Sequence, residues 1–297
     1  MAAETYALWK LLVLGIGLSC IILGVVFRIY IQPTPEYLVG VRQYSKSIPL
    51  LLFRVAVLGF FVAVWVLEIS TTDWFDLVYY TWWNFSLQIV YFTLAIVDQA
   101  KHWHQARCYA NHALNTLFDV CFTSCFLVAL VYWILLFNPS NHLEWFVYVV
   151  HLVNVFVLLL DFGANDHVVQ RTSLKYVVLW PTLYSILTWI GNSSYLDGFW
   201  PYNLMDLSKS LAPLIWFGII LAHVGCFGGV LLLSKLKLRC VGVPPPPPSD
   251  AVASPHVQND LPHLEIVTPH VQDDLPHLEI VTPHIEKDPP RPKPATT

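Results

Sequence analysis

A chain of 297 residues with 56% hydrophobic residues, 12% charged residues and a mean hydropathy of +0.56 holds about half the charge of an average soluble protein. This excludes an ordinary cytosolic enzyme, a secreted disulfide scaffold and a nucleic-acid binder, and it indicates an integral membrane protein. The net charge of −4 averages two unlike parts: residues 1–243 hold 13 basic and 12 acidic residues, whereas 244–297 hold 3 and 8.

A hydrocarbon core about 30 Å thick needs about 20 apolar residues per helix. In chain order, 7–27, 49–67, 77–97, 115–137, 145–162, 176–190 and 211–233 meet or approach that length. The first follows Met-Ala-Ala-Glu without a basic leader and reads as an uncleaved span. The second carries Arg54 near one end, where its side chain can snorkel to the interface. The sixth is short and interrupted by Pro181.

Basic residues fall in alternate loops. Arg28, Arg42 and Lys46, then Lys101 and Arg107, then Arg171 and Lys175, and finally Lys235, Lys237 and Arg239 occupy one side. The other loops hold Glu68, Asp73, Asp76, Glu144, Asp197 and Asp206 against a single Lys209. Because basic loops stay cytosolic, the expected fold is an all-α integral membrane protein. It is a polytopic helical bundle of about seven spans, with the N-terminus lumenal or exoplasmic and the C-terminus cytosolic.

Three regions follow: an N-terminal span and cytosolic linker (1–48), a membrane bundle (49–240) and a tail (241–297). In the tail, five consecutive prolines from Pro244 precede a 14-residue tandem repeat, Pro255–Thr268 and then Pro269–Thr282. Proline every few residues blocks helix and ladder alike, so this Pro/His-rich tail reads as disordered, a docking segment for a protein partner at most. His256, His263, His270, His277 and His284 recur every seven residues. That spacing follows from duplication, and no metal or cofactor is expected.

Ionisable and amide side chains inside spans are expensive in lipid and therefore informative. Thr81, Asn84, Gln88 and Tyr91 lie at i, i+3, i+7 and i+10 of the third span, and His151, Asn154 and Asp161 at i, i+3 and i+10 of the fifth. Each set lines one helical face. Interhelical hydrogen bonding alone accounts for such faces, but depth adds to it. Thr81 follows Asp76 by five residues and His151 follows Glu144 by seven, so at about 1.5 Å per residue both lie about 7–11 Å below the lumenal boundary. A threonine hydroxyl within reach of an imidazole is an activated nucleophile. The reaction indicated is acyl transfer to water from an ester entering through the lipid, with Asn84 or Asn154 as oxyanion donor.

Other positions read more simply. His223 reads as a packed core histidine, and Gly225, Gly228 and Gly229 as sites of close helix approach. Asn192-Ser193-Ser194 is a glycosylation sequon in a lumenal loop, and Cys240, after three basic residues, is a palmitoylation site. No lumenal loop contains cysteine.

At these same residues the chain resembles a known family. Thr81-Trp82-Trp83-Asn84-Phe85-Ser86-Leu87-Gln88, leading into Val90-Tyr91-Phe92, is similar to the threonine-bearing helix of the androgen-induced and androgen-dependent (tissue-factor-pathway-inhibitor-regulating) transmembrane family, with rolling stone proteins as more distant relatives. Trp145, His151 and Asp161 form a second match and Gly198-Phe199-Trp200-Pro201-Tyr202 a looser third. The resemblance covers about 55–233. It implies a multi-span hydrolase of fatty acid esters of hydroxy fatty acids, with Thr81 as nucleophile and His151 as base. It also implies a place in lipid metabolism at the endoplasmic reticulum, with the plasma membrane as the other location. The first span, the repeat-bearing tail and the aliphatic neighbours of His151 depart from the family pattern. The competing expectation is a non-catalytic membrane protein, either a receptor or adaptor or a cell-fusion factor of the rolling stone kind. In it the polar faces only pack helices.

Overall fold

The computed structural model describes residues 7–32, 37–42, 47–103, 109–140, 143–165 and 167–241. The proline run, the repeat and its histidines, together with His104, Arg107, Cys108 and His142, lie outside the described residues.

Helices dominate: α1 (Leu8–Ile31), α2 (Ile48–Thr71), α3 (Tyr80–Lys101), α4 (His112–Val131), α5 (Trp145–Tyr148), α6 (Asn154–Ala164), α7 (Leu174–Ser194) and α8 (Ala212–Val241). Tyr132–Leu136 extends α4 in π-helical form, and Val149–Val153, also π-helical, joins α5 to α6 as one rod. Five segments are long and apolar enough to cross a membrane: Leu8–Ile31, Ile48–Thr71, His112–Leu136, Trp145–Ala164 and Ala212–Cys240. They mark the chain as a helical membrane protein. At 22 and 21 residues, α3 and α7 are as long but more polar. Their polar side chains turn inward: Thr81, Asn84, Gln88 and Gln99 of α3, and Thr182, Ser185 and Thr188 of α7, are all buried.

Sequence punctuation sets several ends. Ser47 caps α2, its Oγ accepting from the Leu50 N–H at 3.4 Å, with Pro49 in the first turn. Asn111 caps α4 through Ala113 N–H (2.9 Å) and Leu114 N–H (3.3 Å). The helices alternate in direction. At one end Lys10 Nζ donates to the carbonyls of Leu207, Ser208 and Lys209, and Phe75 and Tyr79 meet Phe199 and Tyr202. At the other, Lys175 Nζ donates to Gln32 O and Lys237 Nζ to Phe162, Asn165 and His167 carbonyls.

The central element is α4, with 14 of its 20 residues buried. Its Phe118 and Phe122, with Phe61, Phe85, Phe92 and Leu158 from neighbouring helices, form a fully buried, mainly aromatic core. Leu12, Ile16 and Leu23 of α1 and Leu52 and Val66 of α2 point outward. Lipid tails are as apolar as leucine, so close packing and polar contacts hold such a bundle together.

The structure departs from the sequence reading in several places. A two-stranded antiparallel pair, β1 (Tyr37–Arg42) and β2 (Tyr109–Asn111), links two loops that were read as plain connections. Pro181 lies within an unbroken α7, removing one ladder hydrogen bond without ending the helix. Arg54 does not snorkel; it is fully buried. A Cβ at Gly225, Gly228 or Gly229 would meet nothing within 4 Å, so these glycines do not seat a neighbouring helix. Asn192 falls in the last turn of α7 rather than in a loop. It is buried and donates from Nδ2 to Phe199 O at 3.2 Å, so a glycan would require that amide to be released. Cys240 is exposed on the last turn of α8, which runs further than the span read from sequence.

Candidate active site

Residue Thr81 stands at the second position of α3, after a sharp approach in which Asp73 and Trp74 adopt positive φ (47° and 69°). Trp83 fixes that approach by donating from Nε1 to Leu77 O at 2.7 Å. Thr81 Oγ1 lies 3.3 Å from His151 Nε2. Both side chains are largely buried.

The imidazole is oriented by its own backbone. His151 Nδ1 lies 2.9 Å from Val147 O. A carbonyl only accepts, so Nδ1 carries the proton and Nε2 presents its lone pair to Thr81. His151 sits in the π-helical turn between α5 and α6, and Tyr132 opens the π-helical turn ending α4. The two rings stack at 3.8 Å with 21° between planes, and Trp133 Nε1 donates to His151 O at 3.2 Å. Two π turns therefore meet at one imidazole. Such turns are rare and concentrate at functional sites.

Thr81 and His151 open onto a narrow cavity of about 50 Å³, shared by Tyr80, Tyr132, Tyr202 and His223 and walled by aliphatic residues such as Leu127 and Val131. Thr81 N–H, which has no intrahelical partner in the first turn, donates to Tyr202 OH at 3.4 Å. Burial pushes the Tyr202 phenol up to about 12, so its O–H stays protonated. Across the cavity His223 repeats the arrangement of His151: Nδ1 to Ile219 O at 3.0 Å, and Nε2 to Tyr80 OH at 2.8 Å, with Ser124 Oγ at 3.2 Å from the same hydroxyl. The sequence reading of His223 as a packed core histidine agrees with its full burial, but it gave no role to Tyr80 or Tyr132 and placed Tyr202 only in the Gly198–Tyr202 match. The available signal was an in-span imidazole with a tyrosine beside Thr81.

A second, largely apolar groove lies between α4 and α8, with a volume of about 670 Å³. Gly225 and Gly229 contribute to its wall, and Leu127 and Val131 line both spaces.

One turn beyond Thr81 and His151, Asn84 and Asn154 are fully buried, as is Gln88 a turn further on. None of them lines the cavity, so the expected oxyanion role of the asparagines does not fit. Asp161 is not at the site either. It forms a two-point ion pair with Arg54 (Nε–Oδ1 2.7 Å, Nη2–Oδ2 3.2 Å) and accepts from Tyr91 OH at 2.5 Å and Asn165 Nδ2 at 2.8 Å. Arg54 Nη1 also reaches Gln99 Oε1 at 3.3 Å. Another buried carboxylate, Asp119, passed over in the sequence, accepts from Ser173 Oγ (2.6 Å) and Gln170 N–H (3.1 Å) at the same end of the bundle. Among the described residues no cluster of three or more His, Cys, Asp or Glu could hold a metal.

No family model matches this chain, and no curated protein or solved structure matches it.

Proposed function

We propose that the protein is an intramembrane hydrolase of lipid esters, with Thr81 as nucleophile and His151 as general base, in a bundle of seven spans whose N-terminus faces the lumen. The observation that carries this reading is the 3.3 Å contact between Thr81 Oγ1 and an imidazole whose tautomer leaves Nε2 free to accept a proton. Nucleophile and base pairs are commonly this loose before substrate binds.

The chemistry follows from those atoms. As Oγ1 bonds to the ester carbonyl carbon, Nε2 takes the hydroxyl proton. When the tetrahedral intermediate collapses, the C–O bond to the alcohol breaks and Nε2 returns that proton to the leaving oxygen. Tyr202 O–H, close to the Thr81 backbone, is positioned to stabilise the oxyanion. The groove between α4 and α8 supplies a lateral route for an acyl chain, ending at Leu127 and Val131 on the cavity wall. The family resemblance, with its fatty acid esters of hydroxy fatty acids and its endoplasmic reticulum setting, agrees with such a site.

The test is labelling of the membrane-embedded full chain with a fluorophosphonate probe. Labelling should occur at Thr81 and disappear in Thr81→Ala and His151→Ala while folded yield persists. A folded wild-type protein that stays unlabelled would overturn the hydrolase and favour the non-catalytic reading. That alternative draws on the Arg54–Asp161–Tyr91 network, where the same polar faces simply join helices.

A further inference from the structure

The Thr81–His151 contact and the Tyr91–Asp161 contact both join residues 70 apart in the chain. The two rods therefore run in parallel with a constant offset, which places Asn84 opposite Asn154 and Gln88 opposite Leu158. Between the two contacts, five polar atoms are buried without a hydrogen-bond partner among the described residues: both amide atoms of Asn84, both of Gln88, and Oδ1 of Asn154. The remaining amide atom, Asn154 Nδ2, donates to Val150 O at 2.9 Å.

Each such group buried alone costs about 1–3 kcal/mol, and three buried amides on the facing sides of two helices, five of their six polar atoms unpartnered among the described residues, call for a ligand. The five atoms comprise two N–H₂ donors and three carbonyl acceptors. A cation would satisfy only the oxygens and an anion only the nitrogens. Water satisfies both, because each molecule donates and accepts.

We infer that Asn84, Asn154 and Gln88 form a water-binding site directly beneath Thr81 and His151, and that this site supplies the hydrolytic water for deacylation. The assignment rests on the hydrolase reading for its role, though not for the waters themselves. The cavity wall is largely aromatic and aliphatic, so water for the second half-reaction must come from a polar store beside the pair. In that step a water oxygen bonds to the acyl–Thr81 carbonyl carbon while its proton passes to His151 Nε2. The carbonyl carbon–Oγ1 bond then breaks, and Nε2 returns the proton to Oγ1, leaving a free carboxylic acid and the regenerated hydroxyl.

The experiment uses the full chain in membranes with a p-nitrophenyl ester of a medium-chain fatty acid. Asn84→Leu and, separately, the near-isosteric Asn154→Leu should keep fluorophosphonate labelling of Thr81 within twofold of wild type. Both should accumulate acyl–Thr81 and lower steady-state turnover at least tenfold. Unchanged turnover in both labelled variants would overturn the role in deacylation. If the wild type is not labelled at all, the hydrolase reading fails, and the water site is then judged by pulsed-radiolysis footprinting. Oxidation at buried Phe85 and Leu158 that Asn84→Leu abolishes supports the waters, and its absence in the wild type overturns them.

Discussion

The same two helical faces end in opposite ways. At the Asp161 end every charge is answered: a two-point ion pair with Arg54, a tyrosine hydroxyl, an asparagine amide and the Gln99 carbonyl close one continuous network. Ten residues away on both rods, Thr81 and His151 share a single longer contact, both backbones around the imidazole are π-helical, and the amides beneath are unpartnered. Under the proposed function, the difference separates holding from acting. A satisfied buried network fixes the register of two helices, and that register lets the other end carry π-helical turns and unmet polarity. Proteins tend to break local rules at the sites where they work.

The largest expected effect breaks the holding end. Removing one partner of a buried ion pair leaves an unpaired charge and costs about 3–5 kcal/mol. Arg54→Leu and Asp161→Leu should each lose most folded yield and, in whatever survives, a large part of the thermal midpoint. The double variant should recover much of both, because two apolar side chains replace two charges. Single variants that melt like wild type would mean that the network does not set the register.

At the acting end the balance reverses. A neutral hydrogen bond contributes only about 0.5–1.5 kcal/mol, so Thr81→Ala should fold nearly normally and yet lose all probe labelling. Tyr202→Phe tests the oxyanion assignment. Removing such a donor commonly costs about 10²–10³ in rate, and ester turnover should fall by that order while the melting curve barely moves. A loss of yield in either variant comparable to that of Asp161→Leu would erase the distinction between the two ends.

Much of this arrangement could be read from spacing. Period-3.6 placement put Thr81, Asn84, Gln88 and Tyr91 on one face and His151, Asn154 and Asp161 on another, and matching depth brought Thr81 to His151. What spacing could not supply was partners from helices far away in the chain. Arg54, six residues into α2, looked like an interfacial residue because nothing in its own helix reveals Asp161 across the bundle. Tyr80 and His223 are 143 residues apart, so their bond depends on how α3 and α8 pack. The π turns left no trace either, since one extra residue in a turn does not disturb an aliphatic run such as Val149–Val153. The sequence reading also made Gly225, Gly228 and Gly229 packing sites, whereas Gly225 and Gly229 face an open groove.

The finest distinction concerns Tyr132, which shares the cavity and stacks on His151 at 3.8 Å. Aromatic pairs contribute about 0.5–1.5 kcal/mol beyond burial, enough to hold one ring plane but too little to hold a fold. Tyr132→Leu should therefore lower the rate of Thr81 labelling by about tenfold, because an imidazole free to swing presents Nε2 less often. Tyr132→Phe keeps the ring and should label at the wild-type rate. If the two variants behave alike, whether both slow or both normal, stacking does not position the base. The orientation of His151 would then rest on Val147 O and the π turn alone.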